Sequence, residues 1–315
     1  MTNLAVKNVL TGGDVQECRQ IIDKTLKKAI SDAPLQRDLK RAFNYALFPG
    51  GKRIRPVLSL LLCKDLGGDV LRLAKPASAL EIIHCASLIH DDLPAIDNDS
   101  VRRGRPSCHV ACGEATAILT GDLMVAFAHT LVTSSGFSDP VKLKMIDVLS
   151  KSFIDLCNGQ ALDLIPAERE VNLKKIHLLK TGALFSATTV FAALASGANS
   201  FVVSQAEELG LAIGELYQLI DDYLDQFGSA EECGRPAGSD SRNKKQTLFN
   251  SGSVKEGKVA IRRALKRVDE LLSELERSFT GADIKLNRTG EYLSKIYTRY
   301  VLISSVARED PFISA

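Results

Sequence analysis

A segment rich in aspartate constrains the fold of this chain more than any other feature of its sequence. Between His90 and Asp99 it carries four carboxylates in nine residues: Asp91, Asp92, Asp97 and Asp99. Carboxylates at this density repel one another, so a folded chain holds them together around a cation, and Mg²⁺ prefers oxygen ligands. Pro94 clashes with a preceding helical turn, so the helix leading into the segment should end there. The sequence therefore predicts a cation site at a helix end.

A second aspartate cluster lies far downstream. Asp221, Asp222 and Asp225 stand in an apolar helical pattern, one turn after Gln218. For a single acidic segment a solvated turn is the simpler explanation, but charges on an apolar helix are costly without a partner. The two clusters are therefore predicted to form two walls of one metal site.

Arginines complete the first cluster. Arg102 and Arg103 follow it directly, and arginine pairs well with phosphate. Mg²⁺ held by one or two carboxylates commonly completes its coordination with phosphate oxygens and water. Acids, metal and arginines together indicate a diphosphate ligand.

A basic turn and two further segments offer phosphate donors. Gly51, Lys52 and Arg55 come at the start of an apolar helix, where free N–H groups favour an anion, although a solvated basic turn has the same composition. His84 lies two turns before Asp91, as a core histidine or a phosphate donor. Lys180 and Thr181 come just before a long uncharged stretch.

The whole-chain properties exclude several classes of protein. The net charge of +2 and pI of 8.1 do not indicate a nucleic-acid binder. Seven cysteines without a signal-peptide pattern predict reduced thiols in the cytoplasm. Cys108 and Cys112 flank His109, but no second Cys/His pair follows at zinc-finger spacing, which favours packed thiols over zinc. The uncharged stretch 181–205 is long enough to span a membrane, but its polar residues favour a helix buried in a bundle, so no transmembrane segment is expected.

Apolar spacing predicts helices and no strand of useful length. A glycine-, proline- and charge-rich loop is predicted over 234–247, as a lid. We expect one all-α domain over residues 1–315. The predicted helices are 14–31, 37–48, 57–63, 76–89, 113–128, 141–158, 174–179, 207–228, 254–279 and 289–303.

The motifs together resemble those of the trans-isoprenyl diphosphate synthases, the farnesyl and geranylgeranyl diphosphate synthases. The matching motifs are GGKRIRP (50–56), HDDLPAID (90–97), RRG (102–104), GQALDL (159–164), KTG (180–182) and YQLIDDYLD (217–225). They cover residues 40 to 300 or so in family order. The resemblance implies antiparallel helices around a deep central cavity (the isoprenoid synthase fold), a homodimer and three Mg²⁺ ions.

The resemblance also implies a role for each motif residue. The implied metal ligands are Asp91, Asp92, Asp97, Asp221, Asp222 and Asp225. The implied contacts to the allylic diphosphate are Arg102, Lys180 and Lys245. Those to isopentenyl diphosphate are Lys52, Arg55, His84 and Arg103. Gly51 and Arg235 are further implied substrate-binding residues, Arg235 as a phosphate contact. Arg235 stands where the family usually has lysine, which keeps the charge but changes the geometry. The tail 300–315 has no implied role.

The implied chemistry needs no side-chain nucleophile. Loss of diphosphate leaves an allylic cation, flanked by Thr181 and Gln218, and the double bond of isopentenyl diphosphate attacks it. Product length should depend on Ser87 and Ala86, four and five residues before Asp91 and about 6–7.5 Å along the helix. Neither is bulky, which favours a C20 over a C15 product.

Three alternative functions share parts of the pattern. A terpene cyclase has the first acidic motif but pairs it with a different second one, and an HD-type phosphohydrolase has no use for the second cluster. A non-catalytic regulatory subunit typically loses aspartates, whereas both clusters are intact here.

Overall fold

The helices that the apolar spacing predicts are present in the computed structural model of the chain. The structure describes residues 13–48, 50–165, 172–227, 254–278 and 284–301. A π-helical turn spans Leu178–Gly182, and a short hairpin pairs β1 (Val101–Arg102) with β2 (Arg105–Pro106). The prediction of an all-α fold is confirmed. The helices are α1 Gly13–Asp32, α2 Arg37–Leu47, α3 Ile54–Asp65, α4 Val70–Asp91, α5 Cys108–Cys112, α6 Glu114–Thr133, α7 Asp139–Asp163, α8 Leu173–His177, α9 Ala183–Ala195, α10 Ser200–Phe227, α11 Val254–Ser278 and α12 Asn287–Val301.

The start of α4 differs from the prediction. The helix begins at Val70, six residues before Pro76, because the Asp69 side chain caps it by accepting hydrogen bonds from the N–H groups of Leu71 and Arg72. An N-terminal cap of this kind stabilises a helix by about 1 kcal/mol. Pro76 therefore lies inside the helix and does not start it.

The uncharged stretch forms two helices instead of the single one predicted. Gly197, with φ of 76°, ends α9, and α10 begins at Ser200. By length and composition, 114–133 and 173–195 are apolar enough to cross a membrane, but 78% of the most apolar window of 173–195 is buried within the bundle. This segment is the central core helix that its composition indicates, whereas only 39% of the corresponding window of α6 is buried.

Short loops make α3 and α4, α6 and α7, and α9 and α10 antiparallel neighbours. As a result the C-terminal ends of α4, α7 and α10 meet the N-terminal ends of α3 and α9 at one end of the bundle. One hydrophobic core draws on helices from α1 to α12.

A buried carboxylate ties α12 to the start of the chain. Asp65 on α3 accepts hydrogen bonds from the backbone N–H and hydroxyl of Thr289, both at 2.8 Å, and pairs with Arg288 at 3.0 Å. Arg288 also pairs with Asp14 on α1 at 2.9 Å. The Asp65 side chain is fully buried, so these contacts fix where α12 packs.

Candidate active site

A cavity of about 1020 Å³ opens where the helix ends meet. Its walls come from α3, α4, α7, the π-helical turn and α10. Asp91 and Asp221 both line it. The structure therefore confirms that the two acidic segments face one cavity.

The first acidic wall is built by the turn after α4. The helix ends at Asp91, and the N–H of Asp97 donates to the Asp91 carbonyl at 2.9 Å. Asn98 takes a left-handed backbone, with φ of 52°, and closes the turn onto the Leu93 carbonyl. Asp97 is thereby folded back beside Asp91, where Gln160 of α7 donates to its carboxylate at 3.3 Å.

The second aspartate of each pair is buried and bonded within the protein. Asp92 is 2% exposed and accepts a two-nitrogen contact from Arg102, while Asp222 is 4% exposed and accepts from Gln218 at 2.8 Å. Burial raises the pKa of Asp92, and the hydrogen bond from Arg102 acts against that rise. Asp91, Asp97 and Asp221 line the cavity, and Arg102 is held against Asp92 and Asp99.

These carboxylates fit Mg²⁺ that is shared with a substrate. In the described part of the chain, no three His, Cys, Asp or Glu side chains form a group able to hold a metal ion by themselves. Mg²⁺ takes one or two protein carboxylates and completes its octahedron with phosphate oxygens and water. The oxygen-only donors Asp91, Asp97 and Asp221 suit that arrangement.

Basic side chains also line the cavity. Arg55 is 9% exposed, and its guanidinium lies 4.5 Å from the centre of the Phe185 ring. Its Nε has no hydrogen-bond partner among the described residues. Burial lowers the pKa of Arg55, and that of His84 lies well below its ordinary value because of burial and the nearby Arg55 and Arg103. A buried cation without a carboxylate partner is costly, and a bound anion would offset that cost. Gly51, Lys52, His84 and Arg103 line the same cavity.

Arg53, for which the sequence suggests no special role, holds this basic turn in place. It takes a left-handed backbone, with φ of 55°, at a cost of about 1–2 kcal/mol. Its guanidinium compensates by donating to Glu81 at 2.8 Å, to Asp23 at 3.1 Å and to the Leu47 carbonyl at 2.8 Å. The arginine fixes the turn from behind, so that Arg55 points to the cavity.

The π-helical turn brings Lys180 and Thr181 to the cavity. Gly159 allows the close approach, because a Cβ there would lie 2.5 Å from the Lys180 backbone nitrogen. Lys180 Nζ lies 2.6 Å from Asp163, and the Thr181 hydroxyl donates to Gln218 Oε1 at 2.7 Å. π-helical turns are often found at functional sites. Sequence reasoning assigned no role to Gln160, Asp163 and His177, although the first two lie in the GQALDL motif.

The two residues expected to control product length differ in position. Ser87 lines the cavity, whereas Ala86 is fully buried in the core and does not line it. The expectation for Ala86 is corrected: its helix position turns it toward the packed neighbours of α4. On α7, Phe153 lines the cavity seven residues before Gln160, about 10.5 Å deeper by the helical rise.

Three predicted site residues lie outside what the structure describes. The backbone of Asp225 is within α10 but its side chain is not described, and Arg235 and Lys245 belong to the undescribed 228–253. Their roles stay predictions, as does the lid.

Comparison with known proteins agrees with this geometry. A family model for polyprenyl synthetase matches residues 36–277. Geranylgeranyl pyrophosphate synthase 4 of Arabidopsis thaliana is 37% identical over 255 residues, covering 78% of this chain and 68% of that protein. Farnesyl diphosphate synthase of Micrococcus luteus is 37% identical over 248 residues, covering 77% and 85%. A crystal structure of a geranyltransferase from Helicobacter pylori, complexed with magnesium and isoprenyl diphosphate, matches with a TM-score of 0.72 at 25% identity, covering 91% of this chain and 98% of that one.

Proposed function

The chain belongs to the polyprenyl synthetase family and is a prenyltransferase, and we propose that it condenses isopentenyl diphosphate with allylic diphosphates of five, ten and fifteen carbons. The observation that carries the proposal is that acidic and cationic side chains line one cavity. Asp91, Asp97 and Asp221 line it, and so does the buried cation of Arg55. A pair of diphosphates, one shared with metal ions and one held by cations, matches both sets of side chains.

The family is Mg²⁺-dependent, and we propose three ions in each active site, with Asp91, Asp97 and Asp221 as their protein ligands. Bound Mg²⁺ would neutralise the charge that develops on the departing diphosphate. Lys180 is the additional cation on that side, and Asp163 holds its ammonium group in position.

The remaining residues orient the second substrate and protect the reaction. Arg55, His84 and Arg103 would hold the diphosphate of isopentenyl diphosphate, so that its double bond attacks the allylic carbon as the carbon–oxygen bond breaks. The Thr181 hydroxyl and the Gln218 amide would stabilise the cation by their dipoles. The proton lost from the new intermediate would go to the departing diphosphate. Leu156 and Phe153 line the cavity with apolar surface, which excludes water from the cation.

We propose a C20 product. The support is the small side chain of Ser87, which leaves the α4 wall open one turn below the metal ligands. Phe153 on α7 also lines the cavity, and we place it at the end of the product chain.

We also propose a homodimer formed through α6 and α7. The exposed apolar side chains Ile118, Leu119, Leu143 and Ile154 lie on these two helices, with exposed fractions of 44–66%. Large apolar side chains exposed on neighbouring helices mark an interaction surface. Leu119→Glu should give a monomer in sedimentation analysis, and an unchanged dimer would exclude this face.

The six described cysteines are free thiols, which supports a reducing compartment, and we propose the cytoplasm.

A product assay tests the function directly. The purified protein is incubated with Mg²⁺, isopentenyl diphosphate and each of the three allylic diphosphates, and the prenyl products are sized. Elongated linear diphosphates are expected, whereas cyclic hydrocarbons, released phosphate without elongation, or no product would overturn the proposal.

Two variants tie the activity to the acidic wall. Asp91→Ala and Asp221→Ala should each lower kcat by about a hundredfold or more, with a helical content like that of the wild type. Asp147→Ala, which removes an exposed carboxylate from α7, is the matched control and should keep full activity. Wild-type rates in either active-site variant would refute the assignment.

A further inference from the structure

His177 occupies a position in the cavity that the reaction outlined above does not use. It is the last residue of α8, it is 7% exposed, and it lines the cavity directly before the π-helical turn. Three residues later the turn presents Lys180. A polar ring buried at this point needs a polar partner.

A chain of polar contacts leads from His177 to the groups that face the substrate. His177 Nε2 lies 3.3 Å from Asp222 Oδ2, an oxygen that has no hydrogen bond among the described residues. Asp222 Oδ1 accepts from Gln218 Nε2 at 2.8 Å, and Gln218 Oε1 accepts from the Thr181 hydroxyl at 2.7 Å. The chain thus starts at the end of α8, passes through α10 and ends in the π-helical turn that follows α8.

The order of donors in this chain fixes the orientation of the Gln218 amide. Its NH₂ group faces the Asp222 carboxylate, so the flipped amide would place its carbonyl oxygen against that carboxylate. Because Gln218 Oε1 takes the hydroxyl hydrogen of Thr181, the lone pairs of the Thr181 oxygen remain for the cavity. A hydroxyl oxygen oriented in this way presents negative charge to a developing cation.

We propose that His177 is a positioning residue, which holds Asp222 in place and thereby fixes Gln218 and Thr181 against the reacting allylic carbon. This inference rests on the proposed function. It assigns Asp222 to the orientation of Gln218 and not to a metal ion. A buried carboxylate that loses one of two partners shifts toward another donor, and Gln218 would then lose its fixed orientation.

The test compares two replacements of similar size. His177→Gln keeps an N–H donor near the position of Nε2, whereas His177→Leu fills the space without one. In His177→Leu we expect kcat to fall about tenfold, which corresponds to about 1.4 kcal/mol, with KM for isopentenyl diphosphate within about twofold. His177→Gln should restore most of kcat.

His129 supplies the matched control. It also bridges two helices, contacting the Val125 carbonyl and the Ser150 hydroxyl, and the residues that line the cavity do not include it. His129→Leu should lower the melting temperature and leave kcat unchanged. If His177→Leu behaved in the same way, the histidine would be structural and the proposal would fail.

A double-mutant cycle tests whether His177 affects kcat through Gln218. If His177 acts through Gln218, His177→Leu should cost little further rate in a Gln218→Ala background. Equal tenfold losses in both backgrounds would overturn the proposal. Failure of the proposed function would be distinct, because the wild-type protein itself would then form no prenyl product.

Discussion

Replacing Arg55 by methionine should separate binding from stability. The variant keeps an apolar side chain of similar length over the Phe185 ring and removes a cation that is 9% exposed and lacks a partner at Nε. Binding of isopentenyl diphosphate should weaken, because a charge-assisted contact is lost. The free energy of unfolding of the substrate-free protein should rise, because a poorly compensated buried charge is removed.

The expected effects on substrate binding and on folding stability have opposite signs. A hydrogen bond to a charged group contributes about 1.5–3 kcal/mol, and at about 1.4 kcal/mol per factor of ten its loss raises KM for isopentenyl diphosphate roughly 10- to 150-fold. Removing the buried charge stabilises the folded protein. This gain offsets the loss of the contact with the Phe185 ring, which contributes about 2 kcal/mol when desolvated. The net gain of up to about 2 kcal/mol leaves the melting temperature unchanged or raises it by up to about 4 °C.

Steady-state kinetics and thermal unfolding without substrate measure both effects. Arg72→Met is the matched control, since Arg72 also covers a ring, Phe137, at 4.4 Å and donates to the Gly136 carbonyl at the far end of α4. It should lower the melting temperature and leave KM unchanged. An unchanged KM in Arg55→Met, or a large loss of stability, would refute the reasoning.

Three further predictions concern the cavity floor, the half-buried His84 and the last helix. Phe153→Ala should lengthen the product by at least one C5 unit and Ser87→Phe should shorten it, as judged by product sizing, whereas an unchanged distribution would remove these positions from the length argument. Burial keeps the pKa of folded His84 well below its ordinary value. As the pH falls through about 6.5, the unfolded chain therefore takes up a proton that the folded protein does not. The free energy of unfolding should fall by up to about 1.4 kcal/mol per pH unit in this range. Denaturant titrations at pH 7.5 and 5.5 should show a smaller drop for His84→Gln than for the wild type, and equal drops would contradict the assignment. Asp65→Ala leaves Arg288 and Thr289 without their buried acceptor and should cost about 3–5 kcal/mol in unfolding free energy; a loss below 1 kcal/mol would show that α12 is held by other contacts.

The helices were predictable because apolar spacing is set by burial against a core. The two helix boundaries that differ from the prediction have local causes. Asp69 caps α4 ahead of Pro76, and burial of Leu73 and Ala74 in the core adds to the cap against the cost of the interior proline. Gly197 divides an uncharged stretch whose composition is equally compatible with one helix.

The residue types in the site were predictable, but the direction in which each side chain points was not. Neighbouring helix positions differ by about 100° around the axis, and spacing alone does not show which of Asp91 and Asp92 faces the cavity. Which of them faces inward depends on Arg102, which comes from the following hairpin and captures Asp92. Ala86 was misplaced for the same reason, because spacing gives the level along a helix and not the wall it faces.

The contact between Arg288 and Asp14 joins positions 274 residues apart. During synthesis at about 5–20 residues per second, α1 would leave the ribosome roughly 14–55 s before its distant partner is available. Asp65 lies 223 residues before Arg288, so its carboxylate would wait about 11–45 s for the same partner. A chaperone that shields the surface around Asp65 during this interval would raise the yield of folded enzyme without binding the folded protein.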